Sequence, residues 1–239
     1  MEVGLILAAG KGERIKSRYK DIPKPLLSVD GRPILEYNLL LLERAKVKKI
    51  FIVVSYKSRQ LFENFVRKLP FKDKIEFIIQ RKRLGTAHAV KIAESKIGKR
   101  SFIYMVGDNF TNFNIEKLIE RHKELNADAT LALKEVDEPE KYGIAEVEGD
   151  WVKRIIEKPK EPPTNLSFTS MAIFEPVIFD AIKNIRKNLK KKEYFITDAI
   201  EKLIENGGKV GFLKIDTWRI NINTPHDLEI AKKYAKKFI

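Results

Sequence analysis

Three cations and two glycines crowd a short stretch near the start of the chain. Leu7-Ala8-Ala9-Gly10-Lys11-Gly12-Glu13-Arg14 is followed ten residues later by Lys24-Pro25. Small residues let the backbone turn sharply and come close to another molecule. The free N–H groups of such a turn, ringed by Lys11, Arg14 and Lys24, suit a polyphosphate. The chemistry implied is the handling of a nucleoside triphosphate. Two common phosphate motifs are excluded. No Gly-x-x-x-x-Gly-Lys-Ser/Thr run exists. A dinucleotide fingerprint needs a glycine three residues after Gly12, where Ile15 stands, and an acid closing the second strand, where Ser55 and Tyr56 stand. Asp108 follows an apolar run, Phe102 to Val106, and one glycine. An acid at the carboxyl end of a central strand sits in the ligand crevice and offers the hard oxygen that Mg²⁺ prefers; a turn or cap aspartate is the alternative.

Further motifs follow in a fixed order: Pro23-Lys24-Pro25-Leu26-Leu27, Gln80 with Leu84-Gly85-Thr86-Ala87-His88-Ala89, Val106-Gly107-Asp108-Asn109, Tyr142-Gly143, Glu157-Lys158-Pro159 and Asn223-Thr224-Pro225-His226-Asp227-Leu228. With these, essentially the whole chain resembles the sugar-1-phosphate nucleotidyltransferase family, the single-domain NDP-sugar pyrophosphorylases. The resemblance implies nucleotidyl transfer with Mg²⁺, in which a sugar-1-phosphate oxygen attacks the α-phosphate of a nucleoside triphosphate and expels pyrophosphate. A phosphate monoester is already a nucleophile, so such a catalyst needs cations and fixed donors more than a base.

On that reading the amides of Ala8, Ala9, Gly10, Lys11 and Gly12 face the triphosphate. Arg14 holds its β/γ end with a planar fork, and Lys24 neutralises charge on the α-phosphate or the sugar phosphate. Gln80 and Gly85 contact the base, since a carboxamide both donates and accepts and glycine leaves room for a ring. Thr86 opens a helix and is either part of this site or a helix cap. His88, one turn in, reads as a packing residue. Glu157 and Lys158 suit sugar hydroxyls and the sugar phosphate, with Tyr142-Gly143 as the opposite wall; an exposed ion pair at a strand end is the alternative.

Four positions depart from the family pattern. Glu13 stands where Thr or Ser is usual. Asn221, four residues before Pro225, stands where the family usually has a metal-binding aspartate, so the metal set read here is Asp108 with a neutral Asn221. Ser170 and Ala172 replace a usual Gly-x-Tyr, which alters the wall of the acceptor pocket. Two other readings therefore stay open. One is the same chemistry on an inositol or alditol phosphate with CTP or GTP. The other is a non-catalytic nucleotide-binding regulatory subunit. The residues do not choose among the nucleotides.

Composition narrows the classes. The chain has 239 residues, no cysteine and three histidines, which removes disulfides and thiolate catalysis and argues against a histidine metal site. No apolar run is long enough for a membrane span and the N-terminus is not signal-like, so a cytoplasmic protein without membrane partners is expected. The net charge of +14 suits either nucleic-acid binding or a lysine- and glutamate-rich, heat-adapted surface. One third of the residues are charged and the only glutamines are Gln60 and Gln80, which favours the second and argues against a nucleic-acid partner. Homo-oligomerisation is left open.

The elements that must position these residues alternate. Strands are read at Val3–Leu7, Ile50–Val54, Ile75–Ile79, Phe102–Val106 and Thr130–Leu133, with helices at Ile34–Ala45, Ser58–Leu69, Thr86–Ser95 and Ile115–Leu125. That alternation predicts an α/β protein with a three-layer, doubly wound, mostly parallel (mixed) sheet, Rossmann-like. Later come a hairpin, Ile144–Glu148 with Val152–Ile156, a strand at Ser167–Phe174, helices at Pro176–Asn188 and Ile196–Glu205, a strand at Val210–Ile215, and a closing helix from Pro225 to Lys237. One domain over 1–239 is expected, with a nucleotide-binding part of about 1–135 and a sugar-binding part of about 136–239. No hexapeptide-repeat period is present, so the acyltransferase domain of some relatives is not expected.

Overall fold

The computed structural model describes residues 1–10, 12, 22–188 and 192–238. Lys11, Glu13 and Arg14 lie outside the described residues. The first half supplies β1 (Val3–Leu7), the short β2 (Ser28–Val29) and β3 (Arg32–Pro33), α1 (Ile34–Arg44), β4 (Lys49–Ser55), α2 (Arg59–Val66), β5 (Ile75–Gln80), α3 (Thr86–Lys91), α4 (Glu94–Ile97), β6 (Phe102–Val106), β7 (Asn109–Thr111) and α5 (Ile115–Leu125). The second half supplies β8 (Ala129–Glu135), β9 (Gly143–Glu148), β10 (Trp151–Glu157), β11 (Leu166–Phe174), α6 (Ile178–Lys183), α7 (Ile196–Glu205), β12 (Val210–Lys214), β13 (Arg219–Asn221) and α8 (Pro225–Ala235).

Nine strands form one mixed sheet in the order β5-β4-β1-β6-β11-β8-β12-β10-β9. The pairings β4–β5, β1–β4 and β1–β6 are parallel. β11 runs antiparallel to β6 and to β8, and β10 antiparallel to β12 and to β9. Only β11 and β10 therefore oppose the common direction, so the sheet is mixed as expected. What the alternation did not foretell is that β11 also pairs with β9, closing β11-β8-β12-β10-β9 into a small ring. The β9–β10 hairpin turns at Gly149, whose φ is +57°, and delivers the chain to β11 in reverse.

Every residue of β1 is buried, as a strand covered on both faces must be. Leu5 and Leu7 join a core with α3, α6 and α7, while Ile6 and Ala8 join a core with α1, α2 and α5. These are the two outer layers of the three. Several helices differ from the sequence pattern. The helix read at Ser58–Leu69 runs only from Arg59 to Val66, the one read at Pro176–Asn188 only from Ile178 to Lys183, and Thr86–Ser95 divides into α3 and α4. α8 starts as read, with a capping box in which Thr224 and Asp227 satisfy each other's backbone.

A third cluster joins short strands that sequence reasoning missed to two helices that it read. Leu27, Val29, Ile34, Tyr37, Phe110, Ile222, Leu228 and Ala231 pack together, tying the β2–β3 hairpin, the β7–β13 ladder and α8. Phe110 is fully buried, with its ring 4.8 Å from those of Tyr37 and Trp218. Among the described residues no helix is long and apolar enough to cross a membrane. Because Phe110 fastens β7 and β13 to the body, Phe110→Ala should cost about 3–5 kcal/mol in urea unfolding. A loss below about 1 kcal/mol would mean that this cluster is not what anchors the ladder.

Candidate active site

The strand ends of the parallel half open on a cleft of about 410 Å³, lined by Leu7, Ala8, Ala9, Gly10, Gly12, Lys24, Pro25, Gln80, Arg83, Gly85, Thr86, Ala89, Val106, Asp108, Glu193 and Asn223. The sequence-read loop, cation, acid and base-contacting residues thus converge, apart from Lys11 and Arg14, which lie outside the described residues.

At its floor Lys24 Nζ donates to Asp108 Oδ2 at 2.6 Å and to Asn223 Oδ1 at 3.0 Å. The Lys24 side chain is 11% exposed and that of Asp108 29%, so this pair is half-desolvated, and removing one partner would strand the other's charge. Lys24 begins a 3-10 turn between Pro23 and Pro25, which fixes its backbone. Asp108 is delivered by β6 through Gly107, whose N–H donates to Leu7 O at 2.8 Å. A Cβ on Gly107 would stand 3.3 Å from both Leu7 O and Pro25 Cγ, so only a small residue lets the two loops meet. Asn223 is brought in by β13, whose end is held by the Ile222 N–H donating to Asp108 O at 3.2 Å.

On one side lies the base notch. Gln80, buried at the end of β5, donates through Nε2 to Gly85 O at 3.2 Å, and the same nitrogen stands 3.0 Å from His88 Nδ1. Gly85 occupies the N-cap position of α3 with φ of +101°, and a Cβ there would come within 2.4 Å of Tyr194 O. Thr86 lines the cleft but is not the cap. Its Oγ1 accepts the Ile196 N–H at 2.9 Å, fastening α7 to α3.

On the other side stand the residues read for the sugar. Gly143 is in register with Glu157, and the Lys158 N–H donates to Tyr142 O at 2.9 Å. Glu157 Oε2 accepts from Thr197 Oγ1 at 3.1 Å and would lie 3.3 Å from a Cβ on Gly143. None of the four lines the cleft itself; Glu157 borders a neighbouring cavity of about 660 Å³ with Arg154, Asp198 and Glu201. Burial and then the charge of Glu157 raise the Asp198 carboxyl above its ordinary range. Ser170 adopts a left-handed φ of +59° in the irregular stretch of β11, a conformation that costs a serine more than a glycine.

Two residues that sequence reasoning missed connect the sides. Tyr104 is fully buried with an unpartnered hydroxyl, and burial, then Asp108 and Glu157, push its phenol far above the ordinary value. Arg219 donates to Asn109 Oδ1 at 3.1 Å and stands 5.9 Å from the Tyr142 ring centre, while its Nε is sealed off without a partner. Burial lowers its pKa, opposed by Tyr142 and Asp108. Neither position carries a local signal; each matters through partners distant in sequence. Asn221 is in register with Asn109, and its Oδ1 is buried with no partner. The amide that reaches Lys24 is Asn223, two residues on.

A family profile described as nucleotidyl transferase matches residues 3–229. The UTP–glucose-1-phosphate uridylyltransferase AglF of Haloferax volcanii is 36% identical over 236 residues, covering 96% of this chain and 94% of its own. The bifunctional protein GlmU of Methanococcus vannielii is 33% identical over 242 residues, covering 98% of this chain but 55% of its own, so this chain spans about half of that relative. A UDP-glucose pyrophosphorylase solved with UDP-glucose superposes with a TM-score of 0.89 over 99% of each chain at 22% identity, a likeness of fold. Because Gly85 combines a left-handed φ with backbone contact, Gly85→Ala should cost about 2 kcal/mol or more in thermal unfolding and raise the KM for nucleotide. A variant with unchanged melting and KM would remove Gly85 from the site.

Proposed function

The chain belongs to the nucleotidyl transferase family, and on that premise we propose that its cleft joins UTP to a hexose-1-phosphate, giving a UDP-sugar and pyrophosphate. It is a sugar-1-phosphate nucleotidyltransferase of the uridylyl/thymidylyl type. The observation that supports the finer reading is the Lys24–Asp108 pair standing in the same cleft as the base notch at Gln80 and Gly85.

In this reading a phosphate oxygen of the acceptor forms a bond to the α-phosphorus. The bond from that phosphorus to the bridging oxygen breaks, and its electrons leave with pyrophosphate, so no protein group need take a proton. Lys24 offsets charge on the phosphates that meet over it. The amides of Ala8, Ala9, Gly10, Lys11 and Gly12, with the Arg14 guanidinium, hold the triphosphate tail. Thr86 steadies the notch, and Glu157, Lys158, Tyr142 and Gly143 hold the acceptor.

The residues present fit Mg²⁺. Among the described residues no group of three or more His, Cys, Asp or Glu side chains could hold a metal. The protein therefore offers one carboxylate, Asp108, and the buried, unpartnered oxygen of Asn221, leaving the other positions to phosphates and water, which is how Mg²⁺ is commonly held. When bound it would draw charge from the phosphate oxygens. The cytoplasm is the proposed compartment. Ion pairs that share carboxylates, such as Lys49 and Lys96 on Glu76, support the heat-adapted reading of the basic surface.

A matrix of nucleoside triphosphates against sugar, inositol and alditol phosphates, read as pyrophosphate release with Mg²⁺, tests the assignment. UTP with a hexose-1-phosphate should turn over fastest, and a preference for a polyol phosphate with CTP or GTP would replace it. Asp108→Ala should lower turnover by roughly 10²-fold or more with unchanged circular dichroism; near-normal turnover would deny Asp108 its role. Asn221→Asp should lower the Mg²⁺ needed for half-maximal rate, and Mg²⁺ should raise the variant's melting temperature more than the parent's. An unchanged or higher requirement, with no added thermal shift, would take Asn221 out of the metal set.

A further inference from the structure

The amide of Gln80 is not free to choose which atom it shows to a base. The atom 3.2 Å from Gly85 O must be nitrogen, because a carbonyl oxygen can only accept. That nitrogen also lies 3.0 Å from His88 Nδ1, so Nδ1 must be the acceptor and the ring proton must sit on Nε2. Both amide hydrogens are then committed, one to Gly85 and one to His88. The oxygen Oε1 makes no hydrogen bond to the described residues, and Gln80 lines the cleft.

We propose that His88 is a positioning residue for base choice: by accepting from Gln80 it locks the carboxamide with an oxygen toward the nucleotide, so that the site selects a base with an N–H at ring position 3, uracil or thymine, against cytosine, whose N3 is itself an acceptor. A site with a fixed acceptor leaves two lone pairs facing each other when cytosine enters, and such a mismatch discriminates strongly. The inference rests on the reading that Gln80 meets the base.

The same geometry carries a pH dependence. A protonated His88 would turn Nδ1 into a donor facing a donor, and the amide would have to rotate. Burial and then Lys91 lower the His88 pKa, so the ring is neutral at neutral pH and the lock fails only on the acid side of the ordinary imidazole value. From β5 the ring faces the neutral Gln80. The helices α6 and α7, packed on α3, carry Asp180, Lys183, Asp198, Glu201, Lys202 and Glu205. None of these contributes to its shift; Lys91 is the one charge that does, among the described residues.

The test measures kcat/KM for UTP and CTP from acid to neutral pH, in the unaltered enzyme, His88→Leu and His88→Asn. The unaltered enzyme should prefer UTP at neutral pH and lose roughly five- to ten-fold of that preference on acidification, through KM for UTP rather than kcat. His88→Leu should show the reduced preference at every pH. His88→Asn, which can still accept and does not titrate, should restore the preference and keep it in acid. If the unaltered enzyme does not distinguish UTP from CTP at neutral pH, the reading of the base notch fails and the inference with it. If it does distinguish them but the ratio is flat with pH and the same in His88→Asn, the notch stands and the role of His88 is overturned, even should His88→Leu fail to fold.

Discussion

The half-desolvated contact between Lys24 and Asp108 is the point from which the rest of the architecture is best understood. An ammonium and a carboxylate held at 2.6 Å neutralise each other, which lets both charges stand in a half-desolvated cleft. Each ion comes from a different structural argument. Asp108 needs β6 and the missing side chain of Gly107; Lys24 needs its two flanking prolines. Asn223 completes the contact from the far end of the chain, so β13 and α8 must dock before the floor is finished.

The sheet divides the labour by direction. Strands β5, β4, β1 and β6 run in parallel and place their carboxyl ends along one crevice, the usual site of nucleotide recognition in such sheets. The reversal at β11 and the β9–β10 hairpin carry Gly143 and Glu157 on a second group of strands, outside the lining of that cleft. Tyr104 and Arg219 each have a buried polar atom lacking a partner. Unmet polar groups in so dry a place are expensive unless a ligand's own groups satisfy them.

Much of this was legible in the residues. Val3–Leu7 and Ile115–Leu125 could be bounded to the residue, because one is an unbroken apolar run and the other follows an asparagine that caps it. That the Gly-rich turn, Lys24, Gln80, Gly85 and Asp108 line one cleft was legible because each sits in or beside a strand-end motif. The β7–β13 ladder was not. Its strands are three residues long, and Arg219 finds Asn109 across 110 positions of chain. No local period can announce a contact at that separation. His88 reads as a packing residue in the sequence, which does not show that its Nδ1 faces the Gln80 amide nitrogen. Thr86 carried a helix-start signature, yet a glycine took the cap and freed the hydroxyl to bind α7.

Ring closure between β9 and β11 has a consequence for how copies of this molecule meet. A sheet normally ends in two strands whose outward amides and carbonyls can recruit another chain. Here one end is folded back on itself, so β5 alone is left as the terminal strand of the nine. That strand carries Glu76, whose carboxylate is held between Lys49 on β4 and Lys96 beyond α3, and charge on a border strand is a known deterrent to edge-to-edge pairing. A chain with one guarded border has a single route to uncontrolled strand addition. Glu76 is then a solubility device as much as an ion-pair partner, and its loss would show first as aggregation.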